Sequence, residues 1–118
     1  MNREIKFRAW NEVSEKMLNW NEFLDTNMKN TFIAPESTGL ILMQYTGIHD
    51  KNGKEIYEGD ILKSIQWNDI YLVKYIGTAF YLCRKGNKGF NKITTWNNAE
   101  KSEVIGNIYD NPELLGGE

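Results

Sequence analysis

Apolar and polar side chains alternate from Glu4 to Trp10, with Ile5, Phe7 and Ala9 on one side and Lys6, Arg8 and Trp10 on the other. That is the period of a half-buried strand. Beyond it, Val13, Met17, Trp20 and Leu24 recur at spacings of four, three and four, which lays one apolar stripe along a helix. The polar run Asn11-Glu12-Val13-Ser14-Glu15-Lys16 instead suits a turn that folds the first strand back on Met17-Leu18-Asn19-Trp20. The turn-formers favour the hairpin, and the helix stays open as the alternative. Asn21 to Thr38 is polar and Asn-rich, and is expected to form an irregular connection.

Leu40-Ile41-Leu42-Met43-Gln44-Tyr45, closed by Gly47, is too short for a comfortable helix and suits a buried strand. Asp50-Lys51-Asn52-Gly53-Lys54 follows as a tight turn: Asp50 bonds its own backbone, while Asn52 and Gly53 tolerate positive φ. Gly59 and Asp60 then make a corner, Gly59 by allowing a sharp bend and Asp60 by accepting backbone amides. Tyr71 to Ile76 and Ala79 to Cys83 are aromatic and β-branched runs separated by Gly77-Thr78, a type II′ hairpin signal. Val104 to Tyr109 reads as a last strand, and Asp110-Asn111-Pro112-Glu113 as the start of a short helical turn. The sum is a mainly β fold: a small barrel-like, SH3-like antiparallel sheet, an N-terminal β-hairpin subdomain and a short C-terminal helical turn. Residues 1–118 are expected to form a single domain, with a possible subdivision into 1–38 and 39–118.

Composition removes several classes of function. At 41% hydrophobic and 25% charged residues the 118-residue chain is far from the disordered class. One cysteine, Cys83, forms no internal disulfide, and one histidine, His49, builds no Cys/His zinc cluster. The basic N-terminus leads into no apolar h-region, and the longest aliphatic run, Leu40 to Met43, spans no membrane. A soluble, cytoplasmic protein is expected. His49-Asp50 lacks a spaced nucleophile, and Cys83 near Arg84 and Lys85 lacks a base. Asp50-Lys51-Asn52-Gly53 misplaces the glycine of a calcium loop, and Gly86-Asn87-Lys88-Gly89 lacks the P-loop ending. No catalytic, cofactor-binding or metal residue is assigned, and no enzymatic activity is expected.

Charge is segregated: residues 1–60 carry a net −3, residues 61–99 a net +5 and residues 100–118 a net −4. In the basic segment Arg84, Lys85, Lys88 and Lys92 gather around Phe90 and Trp96, cations and rings together as on single-strand nucleic-acid platforms. The same charges also suit a soluble hairpin tip, or pairing with the acidic tail of a neighbouring subunit. Trp20, Trp67 and Trp96 each lie beside an asparagine in polar surroundings, as interface tryptophans do.

Three separate motifs carry a resemblance: Arg3 to Trp10, Met43 to Ile61 through Asp50-Lys51-Asn52-Gly53, and Val104 to Tyr109 with Pro112 to Leu115. In order and spacing they resemble the YopX family. The resemblance implies a small, mostly β protein carried by bacteriophages and prophages, without established enzymatic activity. The expected function is a non-enzymatic β module acting by protein association, as a homo-oligomer or on a host protein. The alternative is weak single-stranded nucleic-acid binding through Arg84, Lys85, Lys88, Phe90, Lys92 and Trp96.

Overall fold

The computed structural model describes residues 4–64, 66–86 and 89–116, the side chains of 91, 92 and 116 excepted. The first alternating run forms β1 (Phe7–Asn11), which turns back into β2 (Lys16–Leu18) with Ala9 opposite Leu18. The turn is held by Asn11, whose side chain accepts the amides of Val13 and Ser14 at 2.9 and 3.1 Å. Val13 is exposed at the loop tip, so the hairpin prevails over one continuous helix from Val13, although the return strand ends at Leu18 and Trp20, expected in it, opens a helix behind the Asn19 cap.

The expectation of an irregular connection over Asn21 to Thr38 is corrected. Two short helices, α1 (Trp20–Leu24) and α2 (Met28–Ile33), and a 3₁₀ turn over Pro35–Ser37 occupy it. The physical reason lies in the asparagines. Asn19 caps α1 in a reciprocal box: the Glu22 amide donates to Asn19 Oδ1, and the Asn19 amide donates to Glu22 Oε1, each at 2.9 Å. Asn27 caps α2 in the simpler way. Phe23 of α1 is fully buried in a cluster with Ala9 and Leu40, onto which Phe7, Leu18, Trp20, Met28 and Leu42 pack.

β3 (Leu40–His49) runs on through Gly47 instead of closing there, its pairing shifted between Tyr45 and His49. With β4 (Glu55–Tyr57) it completes a sheet of order β2-β1-β3-β4. The second sheet holds β5 (Asp60–Ser64), β6 (Ile70–Ile76), β7 (Ala79–Gly86), β8 (Gly89–Thr94) and β9 (Ser102–Asn107). Its order is β8-β7-β6-β5-β9, every pair antiparallel. Register shifts at Ile61/Leu62 and Arg84/Lys85 bend it into a half-barrel. Gly77 and Thr78 form the two-residue turn between β6 and β7, with Gly77 at φ 65°.

Ile56, Leu62, Tyr71, Val73, Leu82 and Ala99 fill the half-barrel, with Ile48, Trp96 and Val104 at its margin. Each buried aliphatic side chain contributes about 1.5–3 kcal/mol. β3 serves both cores, sending Leu40 and Leu42 into one and Ile48 into the other. Two single helical turns, α3 (Asn97–Glu100) and α4 (Glu113–Gly116), complete the chain, the latter where Pro112 foretells it. Among the described residues no helix is long and apolar enough to cross a membrane.

Candidate functional site

β1 presents Phe7 and Ala9 to the helical layer, so its alternation turns Lys6 and Arg8 toward the β4–β5 corner. There the Arg8 guanidinium lies 2.8 Å from Asp60 Oδ1, donates to the Glu58 carbonyl at 3.2 Å and stacks 4.9 Å from the Tyr57 ring centre. Asp60 Oδ2 accepts the Tyr57 amide at 2.8 Å, closing the corner. The Arg8–Asp60 contact is a close, buried ion pair, and Arg8 Nε beside it has no hydrogen-bond partner. Lys6 pairs with Glu55 and, at 3.4 Å, with Glu4.

Burial dominates the electrostatics here. It pushes the Tyr57 phenol up to about 12, helped by the charge of Glu55. Burial likewise raises the carboxyls of Glu58 and Asp60, against the pull of Arg8 and the amides they accept. An open groove of about 550 Å³ lies in front, walled by Lys6, Arg8, Trp20, Lys54, Glu55 and Tyr57. Of its cations Lys6 is paired with Glu55 and Arg8 with Asp60, so two of the three are already engaged. Sequence reasoning missed this cluster; its one signal was a pair of cations alternating with core residues in β1.

The turn residues act as their types suggest. Asp50 Oδ1 accepts the amides of Asn52 and Lys54 at 2.8 and 2.9 Å, and Oδ2 accepts that of Val104 at 2.9 Å. Both oxygens being so engaged, Asp50 orients no imidazole; His49 lies instead beside the Tyr45 hydroxyl. Asn52 follows in the turn, and Gly53 and Gly59 take φ of 82° and 87°.

The expected basic surface falls only in part within the described residues. Arg84 and Lys85 lie on β7, half-buried, and Lys92 stands opposite Arg84 on β8. Lys88 lies outside the described residues. Phe90 is buried and Trp96, half-buried, packs against the half-barrel core. The structure brings Arg84 together with a different tryptophan. Trp67, 65% exposed, shares with Asp69, Tyr71, Arg84, Thr94 and Asn98 a groove of about 420 Å³. Local bonds fix its loop: Ser64 Oγ accepts the Trp67 amide at 3.2 Å, the Ser64 carbonyl accepts that of Asn68, and Asn68 takes φ 58°. Trp20 is half-buried on the first core.

A third feature is apolar. Leu24, Phe32 and Ile33 of α1 and α2 are exposed, although the Phe32 ring also touches those of Phe7 and Phe23, at centroid distances of 5.3 and 6.0 Å. Among the described residues no group of three or more His, Cys, Asp or Glu side chains is placed to hold a metal ion.

A four-stranded sheet roofed by short helices, joined through β3 to a five-stranded half-barrel, defines a small, mainly β protein whose grooves lie on its surface. The chain belongs to the YopX family: the model of that family, described as YopX protein, matches residues 6–116. Its fold is similar to the crystal structure of protein EF1440 from Enterococcus faecalis, with a TM-score of 0.65 and 26% identity over 97% of this chain and 99% of that one. No curated protein matches the chain.

Proposed function

We propose that this YopX-family chain is a non-enzymatic β module of a phage or prophage, working in the host cytoplasm by protein association, and that its partner is a second copy of itself. The observation that carries this reading is the apolar patch on the helical layer, where Ile33 is 71% and Phe32 48% exposed. Neighbouring exposed apolar side chains such as Phe32 and Ile33 are stabilised by being covered. The helices themselves hold one acid, Glu22, and one base, Lys29, with Asp25 at the α1 C-cap, so two copies meeting across a two-fold axis bring only a net −1 each to the contact.

The test is sedimentation equilibrium of the wild-type chain beside Ile33→Asp. Phe32 also packs inward on Phe7 and Phe23, which makes Ile33 the cleaner site for the charge. A wild-type dimer that dissociates in the variant supports the reading. A wild-type chain that stays monomeric at its highest soluble concentration, or a dimer that the variant leaves intact, overturns it.

A further inference from the structure

We propose that the groove between Trp67 and Arg84 binds a nucleobase together with its phosphate, the base stacking on the indole and the phosphate pairing with the guanidinium. Tryptophan is usually covered in a folded chain, because its ring removes a large apolar area from water. Trp67 is left 65% exposed. Its backbone is nevertheless anchored, by the Ser64 Oγ that accepts its amide and by the Asn68 turn behind it. An exposed ring on an anchored turn is a stacking platform open to a base.

The remaining walls supply the polar half of such a site. Arg84 stands 4.0 Å from Asp69, an ion pair too long for a hydrogen bond, so a phosphate oxygen at closer range competes well for the guanidinium. Asp69 and the Asn98 carboxamide, the latter donating to Thr94 Oγ1 at 2.7 Å, line the same groove and face a base edge with both acceptors and donors. About 420 Å³ falls within the range of small-ligand sites. The segment that builds this groove, residues 61–99, carries a net +5 in a chain of net −2, a composition suited to an anionic ligand. The site lies on the half-barrel, away from the α1–α2 patch, so it stands or falls independently of self-association.

Base and phosphate occur together in a free nucleotide and in a single strand, and the experiment separates the two. A short fluorescently labelled oligothymidylate is titrated with wild-type protein, Trp67→Ala and Arg84→Gln, with anisotropy as the readout, at low and raised salt. Unlabelled thymidine monophosphate is then added as competitor. Binding by the wild type, weakened at least about fivefold by Trp67→Ala at any salt and made less salt-dependent by Arg84→Gln, supports the site. Displacement by thymidine monophosphate assigns it to free nucleotides, and failure to displace assigns it to strands. No binding at low salt, or equal binding by Trp67→Ala, overturns the proposal.

Discussion

The guanidinium of Arg8, on β1, lies 2.8 Å from the carboxylate of Asp60, at the start of β5, and both side chains are almost wholly buried. This ion pair joins the four-stranded sheet to the half-barrel. The guanidinium also stacks on Tyr57 and donates to the Glu58 carbonyl, so one side chain from the N-terminal strand organises the whole β4–β5 corner. The apolar cores on either side supply most of the burial, while this contact fixes how they meet.

Replacing Arg8 by Met therefore strands a buried carboxylate that only the Tyr57 amide still satisfies. Breaking such a pair from one side costs about 3–5 kcal/mol. Equilibrium unfolding in urea is expected to show a midpoint lowered accordingly with an unchanged slope. A loss below about 1 kcal/mol, the range of exposed pairs, would mean that water reaches Asp60.

The same pair shows where the sequence runs out. Arg8 and the Glu58 carbonyl it reaches are 50 residues apart, and no local pattern announces their meeting. Hairpins are different: Gly77-Thr78 stands between two β-rich runs, so the turn and its register follow from neighbours alone. The Asn-rich stretch misleads because asparagine serves loops and helix caps equally, and the short helices it caps are held by burying Phe23, a tertiary event. Phe90 and Trp96 read as surface aromatics among lysines, yet on β8 Phe90 is buried beside β7, and Trp96 packs in part against the half-barrel core. Trp67 becomes the exposed ring because a positive φ at Asn68 shapes its turn, which polar neighbours alone do not disclose.

Gly53 and Gly59 separate backbone strain from crowding. Both take positive φ, at 82° and 87°, but a Cβ on Gly53 meets nothing within 4 Å, whereas one on Gly59 lies 3.3 Å from Met43 Sδ and 3.6 Å from Ile108 Cγ1. Gly53→Ala is expected to cost about 1–2 kcal/mol for the left-handed conformation. Gly59→Ala adds roughly 1 kcal/mol or more for overpacking. Thermal unfolding of the two variants gives the order, and equal losses would show that Met43 yields freely.

Cys83 is buried among core strands, and burial raises its thiol above the ordinary range despite the nearby charge of Lys74. Thiolate is the reactive form, so native protein at neutral pH is expected to resist iodoacetamide, with labelling appearing along the urea unfolding transition. Rapid labelling of native protein would instead reveal local opening of β7.

Asp50 gives the pH dependence a definite sign. Burial, the largest influence on its carboxyl, acts to raise its pKa, but the amides of Val104, Lys54 and Asn52, with the charge of Lys54, outweigh it and hold the group below its ordinary value of 3.8. A carboxylate depressed in the folded state contributes stability that is complete above the ordinary value and is lost as the pH falls through it toward the folded pKa. Glu58 and Asp60 are raised by burial and carry the opposite sign, so wild type is best compared with Asp50→Asn, which shares both. The asparagine keeps one acceptor for Asn52 and Lys54 but turns its NH₂ toward the Val104 amide, leaving a buried donor unpaired at a cost of about 1–3 kcal/mol at neutral pH. Protonated Asp50 loses much the same acceptor, so the stability gap between wild type and variant is expected to narrow as the pH drops below 3.8. Urea midpoints across that range measure it, and a gap that stays constant would show that the amide bonds do not depend on the charge of Asp50.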